Sequence, residues 1–518
     1  MHDVSNRRNP RCQFHQGFWL LAVVVIGATG PAASFSAEKG AGIAGDQREK
    51  GTAGGRLVSI VDHGARPGEL CTAAIQAAVD RAARAGGTVY VPPGRWITGT
   101  IELKSGVTLH VDPAAALVGS GKIDDYRWHA GNTHERANHS LIFAEGVEDV
   151  TITGGGVIDG NGQAFWDPPA ADSAWWIARN PRPMPMVELR RCRRVCLRDI
   201  RLQNSPGWTV HPFCCDDVVL RGVRVKNHMF GPNTDGFDIN GCRDVQISNC
   251  LLACGDDAII LKATPQARST ERVAISNCIC SSNCIAIGIG QETESDIRQI
   301  AVSNCICYKS HRMFAIGIWD GGTVEDVTVT GLTGDTLCDS RLARPIQMEV
   351  KQLETLPQTR PLGTIRNVNI SNVVARTRGR ILITAQEGAT LEHISLRDVR
   401  LQYVGLEDAE ALSPRDGRSG SSQYANRNPE ARRQNAAVVL ENVRGFDAGD
   451  LAIHWPKPAA APAAEGKPGA ERPPPYRVLW ARHVQNSRLA APMAAASSDK
   501  IDAIFAEDCP GCVFRAGP

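Results

Sequence analysis

The sequence predicts an all-β chain wound as a single parallel β-helix, and three observations carry that expectation. The phrase Val245-Gln246-Ile247-Ser248-Asn249-Cys250 returns as Val273-Ala274-Ile275-Ser276-Asn277-Cys278 and again as Ile300-Ala301-Val302-Ser303-Asn304-Cys305, at intervals of 28 and 27 residues. A fixed period of this size marks a solenoid in which each repeat forms one rung. Related apolar runs near Val195, Val218, Val368 and Ile394 keep a similar step, while the longer step from Val327 to Val368 implies an inserted loop. Finally, short acidic clusters stand before the strand-like runs GFDI and AIIL: Asp235 with Asp238, then the adjacent pair Asp256 and Asp257.

Stacking those runs brings the acids together. Setting TDGFDI over DDAIIL, NCIAIGI and RMFAIGI places Asp235, Asp257, Cys284 and Met313 in one column. Thr234, Asp256, Asn283 and Arg312 then form the column beside it. Adjacent strands lie about 4.8 Å apart, so Asp235 should face Asp257 across one step. Carboxylates crowded at that distance repel, and at least one should keep its proton near neutral pH. Asp and Asn also serve as turn residues between strands, which explains one isolated acid more readily than three in register.

The rest of the chain divides around these rungs. Its 518 residues carry a formal net charge of +2, which argues against nucleic acid as the main partner. Arg7, Arg8 and Arg11 precede an apolar run from Phe18 to Ile26 and then small residues to about Ala37. That order predicts a signal peptide over 1–37, hence a secreted or periplasmic protein without stable membrane insertion. Residues 38–56 read as a flexible spacer and 57–518 as the β-helix. In the first part of that domain, Thr72 to Ala85 has helical spacing, with Ala74, Ile75, Ala78, Val79 and Ala82 on one face and Gly86-Gly87 at its end. This helix should cap the exposed N-terminal end of the solenoid. Regular rungs are expected from Ser140. The polar stretch 405–435 and the Pro/Ala-rich stretch 456–475 read as loop insertions.

Three further groups have testable positions. Asn249, Asn277 and Asn304 are expected to form an internal amide ladder. The cysteines beside them should stack inside as free thiols, with Cys509 and Cys512 the best placed to form a disulfide; no metal-ligand spacing stands out. Trp166, Trp175 and Trp176, in a proline-rich insertion, either wall a groove or pack the loop down. His211 is expected to satisfy backbone groups.

The motifs NTDGFDI and GDDAIILK, with NSPGWTVHP and AAIQAAVDRAARAGGTVYVPPGRW before them, resemble glycoside hydrolase family 28, the polygalacturonases and rhamnogalacturonan hydrolases of pectin breakdown. The likeness covers Val58 to Gly331 well and the later rungs loosely. It implies a right-handed parallel β-helix of the pectin lyase-like kind and an inverting hydrolysis without a cofactor. By motif position it makes Asp256 the general acid and Asp235 with Asp257 the pair that activates water. Inversion needs acid and base about 6.5–9.5 Å apart to admit that water.

The sequence departs from the family in two places. A Gly-His-Gly phrase one rung after the acid pair is replaced by Ser282-Asn283-Cys284. The Arg-Ile-Lys that holds the galacturonate carboxylate is replaced by Ala315-Ile316-Gly317. These departures point away from plain polygalacturonan and toward rhamnose-containing pectin. Asn233, Lys262, Asn283, His311 and Arg312 are the candidate substrate-binding residues, since an arginine fork suits a carboxylate. A monomer acting on a pectic polysaccharide or oligosaccharide is expected. A polysaccharide lyase using Ca²⁺ and a non-catalytic glycan-binding solenoid are the alternative readings, because fold resemblance alone does not settle activity.

Overall fold

The structure is a computed structural model. It describes residues 56–517 apart from 131–137, 172, 320, 338–342, 353–360, 406–430, 432–433, 457–476 and 495–502. The expected leader, the spacer, most of the 405–435 insertion and nearly all of 456–475 lie outside the described residues.

Alternation of apolar and polar residues makes each short segment a strand with one buried face, and parallel pairing stacks equivalent strands of successive rungs. One series runs Ile142–Glu145, Val187–Arg190, Val210–Phe213, Phe237–Asn240, Ile259–Ala263, Ile285–Thr293, Arg312–Ile318 and Arg344–Val350. A second runs Glu148–Thr153, Arg193–Arg198, Asp216–Arg221, Arg243–Ser248, Thr270–Ser276 and Ile297–Cys307. A third runs Val157–Asp159, Arg201–Gln203, Arg224–Lys226, Leu251–Cys254 and Ile279–Ser282. The chain is a right-handed parallel β-helix.

The repeat phrase pairs as its period predicts, Val245 with Val273 and Val273 with Ile300. Val218, Val245, Val273, Ile300, Val327 and Val368 form one buried interior column. Fully burying each such side chain contributes about 1.5–3 kcal/mol relative to exposure, so the column ties each rung to the next without any long-range cross-link.

The helix forms over Thr72–Ala83, with Ile75, Ala78, Val79 and Ala82 buried. It packs on the strands Arg56–Ser59, Gly87–Val91 and Ile101–Glu102, the first coils of the solenoid. Rungs therefore begin well before Ser140. Arg56–Ser59 pairs with Gly87–Val91, which pairs with Val107–Val111, which pairs with Glu148–Thr153. Unequal turns hide the period there, although the buried/half-buried alternation of the strands is the same.

The asparagine expectation fails. Asn249, Asn277 and Asn304 are exposed, and each adopts a left-handed backbone, with φ 57°, 55° and 54°. Asn tolerates that conformation better than most residues, so these positions turn the chain between sheets and direct their amides outward. The neighbouring Cys250, Cys278 and Cys305 are buried, as expected. Cys509 and Cys512 are free thiols rather than a disulfide. Their sulfurs donate to the backbone carbonyls of Glu507 (3.3 Å) and Val484 (3.3 Å). Protein unfolded without reductant should titrate with free thiols throughout; finding nearly all sixteen cysteines beyond Cys12 in disulfides would contradict this packing.

Candidate active site

The acids enter the site from two consecutive turns whose backbones are locked together. The Thr234 hydroxyl donates to the His228 and Gly231 carbonyls (3.2 and 3.1 Å) and accepts from the Gly255 amide (3.2 Å). Thr209 donates through its amide and hydroxyl to the Asp235 carbonyl (3.0 and 2.6 Å). Space explains the two glycines. A Cβ on Gly255 would come within 2.4 Å of the Thr234 hydroxyl, and one on Gly236 within 2.3 Å of the Ala258 carbonyl. Asn-Thr-Asp-Gly and Gly-Asp-Asp are thus two halves of one interlocked corner.

Phe237 pairs with Ile259, so Asp235 and Asp257 stand level on adjacent rungs. The next step differs from the sequence alignment by one residue. Ile259 pairs with Ile287, which sets Asp257 level with Ile285, and the Ile285 amide donates to Asp257 Oδ1 at 3.0 Å. Asp256 therefore stands level with Cys284, not Asn283. Arg312 pairs with Ile285 and so belongs to the Asp257 column, not that of Asp256. The alignment makes these steps 27 and 29 residues where the register makes them 28 and 27, because no apolar pattern marks the count within a turn.

The cluster is tighter and drier than an open groove. Asp235, Asp256 and Asp257 are 3%, 5% and 4% exposed, and Asp238 is fully buried. Asp235 Oδ1 and both Asp238 carboxylate oxygens lack a hydrogen-bond partner. Burial first, then the neighbouring Asp256 carboxylate, drives Asp235 well above the usual carboxylate range. Burial likewise raises Asp238, opposed by Lys262. Burial and Asp256 raise Asp257 to about 6. Protons held by this cluster at mildly acidic pH are the direct result of packing like charges out of water.

The other candidate residues have definite places. Lys262 is buried; its Nζ lies 2.6 Å from Glu292, 3.8 Å from Asp238 and 4.7 Å from the centre of the Trp208 ring. Its charge is matched inside the protein. Arg312 donates to Gln347 (2.8 Å) and to the Cys284 sulfur (3.4 Å). Asn283 gives its amide to the Met229 carbonyl at 2.5 Å, and Asn233 accepts from Arg182 at 3.2 Å. His311 is half-buried beside Arg312. His211 bonds side chains, not the backbone: Glu188 at 2.8 Å and Asn240 at 3.2 Å. The tryptophans pack the insertion down. Trp166 is buried, and Trp176 and His228 lie against it with ring centres 6.3 and 6.1 Å away. Trp175 meets Phe230 edge-on at 5.7 Å.

Sequence reasoning missed Glu292 and Gln347, which lie in other rungs and carry no motif. The one available signal for Glu292 was that a buried Lys262 needs an anion. The Cys284 sulfur and carboxylate oxygens of Asp256 and Asp257 all lie within 4.8 Å of one another, and the Arg312 guanidinium beside that sulfur already supplies positive charge.

A parallel β-helix that gathers aspartates from successive rungs onto one sheet defines the class of this protein. Residues 88–417 match the model of "Glycosyl hydrolases family 28", and the chain belongs to that family. It is 29% identical over 290 residues to a probable polygalacturonase of Vitis vinifera, covering 52% of this chain and 58% of the relative. It is 30% identical over 206 residues to exopolygalacturonase X-1 of Emericella nidulans, covering 38% and 45%. The chain thus spans about half the length of these curated relatives. Among solved structures, the family 28 exopolygalacturonase of Yersinia enterocolitica superposes with a TM-score of 0.65 at 17% identity, over 90% of this chain and 80% of that one. The Thermotoga maritima exopolygalacturonase gives 0.58 at 19%, over 77% and 92%.

A carboxyl group whose folded pKa is raised contributes stability at low pH that is lost as pH climbs through the folded value. Asp257→Asn should therefore raise Tm above about pH 6, with the gain vanishing as pH falls toward the ordinary 3.8. Thermal melts across that range check it; a uniform loss of Tm at every pH would contradict the electrostatic reading.

Proposed function

We propose that the protein is an exported glycoside hydrolase that cleaves pectic polysaccharide with inversion. The observation that carries this reading is the interlocked corner placing Asp235, Asp256 and Asp257 in one nearly dry cluster. Asp256 is assigned proton donation to the leaving glycosidic oxygen, and Asp235 with Asp257 the activation of water, following the family's motif positions. Export rests on the basic, apolar and small-residue order of the first 37 residues.

Substrate choice follows from what faces the cleft after the acids. Gly288 pairs with Ala315 and Gly290 with Gly317, so the positions of the family's carboxylate clamp carry no cation. Beyond them, Ala315 pairs with Gln347 and Gly317 with Glu349, an acid matched by Lys351 at 3.2 Å. Lys262 is neutralised by Glu292 and Asp238. A uronate carboxylate bound here would be desolvated beside cations already engaged by Glu292 and Glu349. This supports a sugar without a carboxylate at that place, as in rhamnogalacturonan-type or neutral-sugar-decorated pectin.

One experiment tests both parts: product analysis of wild-type and Asp256→Asn protein on unbranched polygalacturonate and on rhamnogalacturonan oligosaccharides at matched concentration. The wild type should favour the rhamnogalacturonan, and Asp256→Asn should lose about 10²–10⁴-fold, the usual contribution of a general acid. Near wild-type turnover in that variant would overturn the assignment, and preference for the unbranched polymer would overturn the substrate. An unsaturated product would instead identify a lyase.

A further inference from the structure

The family histidine is absent, and Asn283, which stands in its sequence position, spends its amide on the Met229 carbonyl. The residue that reaches the acids on that rung is Cys284. Three contacts fix it there. The Ser282 hydroxyl donates to the Asp256 carbonyl (2.6 Å) and accepts from the Cys284 amide (2.8 Å), so the backbone at Cys284 is tied to the acid pair itself. The Ser282 amide in turn donates to Ser310 on the following rung (3.3 Å). The Cys284 sulfur lies within 4.8 Å of carboxylate oxygens of both Asp256 and Asp257, and Arg312 Nη1 approaches it at 3.4 Å from the other side.

We propose that Cys284 is a positioning residue, a thiol that accepts from the Arg312 guanidinium and donates to the Asp257 carboxylate, coupling that carboxylate to Arg312, a cation two rungs on in its column. The donor inventory permits this: a thiol is a weak donor and a weak acceptor at once, whereas an arginine only donates and a carboxylate only accepts. Arg312 cannot take the thiol's place without leaving Gln347, which accepts its Nε–H at 2.8 Å.

The consequence lies in the proton affinity of Asp257. Asp235 and Asp238 press on this site from the preceding rung, and Asp256 does so from its own. The buried Cys254 lies within reach of the four acids, and Glu292 stands behind Lys262. Against them stand Lys262, the Cys284 hydrogen bond and the Arg312 charge, all of which favour the ionised carboxylate. Half-buried His311 neighbours Arg312. The relay keeps Asp257 able to ionise, and so to act as a base, in a pocket that otherwise protonates it. Its catalytic meaning rests on the hydrolase reading above; its effect on Asp257 does not.

The test follows the Asp257 carboxyl directly, by ¹³C NMR titration of aspartate-labelled protein, with Asp257→Asn assigning the resonance. Cys284→Ala should raise the apparent midpoint of Asp257 by on the order of one unit. Cys284→Ser, which keeps a donor and acceptor, should restore most of it, and Arg312→Gln should shift it upward like the alanine variant. In activity, the acid limb of the pH profile of kcat should move upward in Cys284→Ala while KM changes little. An unmoved Asp257 resonance in Cys284→Ala would overturn the relay, even if activity fell. A moved resonance in a protein that releases no product from any pectic fraction would support the relay and reject the hydrolase reading.

Discussion

Four carboxylates held out of water within two rungs are the constraint on which the site depends. Isolated burial of even one such charge is costly, so the surrounding structure must either neutralise the acids with protons or bring cations to them. Both happen. Asp235 and Asp238 are pushed toward their protonated forms. Lys262, itself buried, is held charged chiefly by Glu292 at 2.6 Å. The repulsion is sustained by the rigidity of the corner, where Thr234, Gly236 and Gly255 leave the backbone no room to relax. The stability lost there is offset by the apolar columns inside the solenoid.

The acids and the buried Lys262–Glu292 pair form one enclosed cluster, while the rungs that follow present Gly288, Gly290, Ala315 and Gly317. Charge is thus concentrated among the acids, and the rung beyond carries the matched pair of Glu349 and Lys351. The contacts of Arg312 with Gln347 and the Cys284 sulfur direct it back toward the acids.

The fold was legible because its signal is periodic. Val245, Val273 and Ile300 announced the rung, and the helix over Thr72–Ala83 announced the cap. The aspartate cluster was legible for the same reason, since Asp235 and Asp257 precede equivalent strands. What failed was the count within turns. Miscounts of one and two residues at successive turns moved Cys284 and Arg312 into columns other than those expected, and nothing in a turn's composition fixes that count. Asn249, Asn277 and Asn304 repeat as faithfully as any core residue, yet repetition reflects a shared backbone conformation here rather than shared burial. Partners such as Glu292 and Gln347 were invisible because they meet Lys262 and Arg312 only through the winding of the solenoid.

The central claim is that these aspartates direct water onto a glycosidic bond from the face opposite the leaving group. The most direct measurement is ¹H NMR of the first sugar released from a rhamnogalacturonan oligosaccharide, recorded before the anomers equilibrate. The account predicts an anomeric configuration opposite to that of the bond cleaved. Release with retained configuration would contradict it.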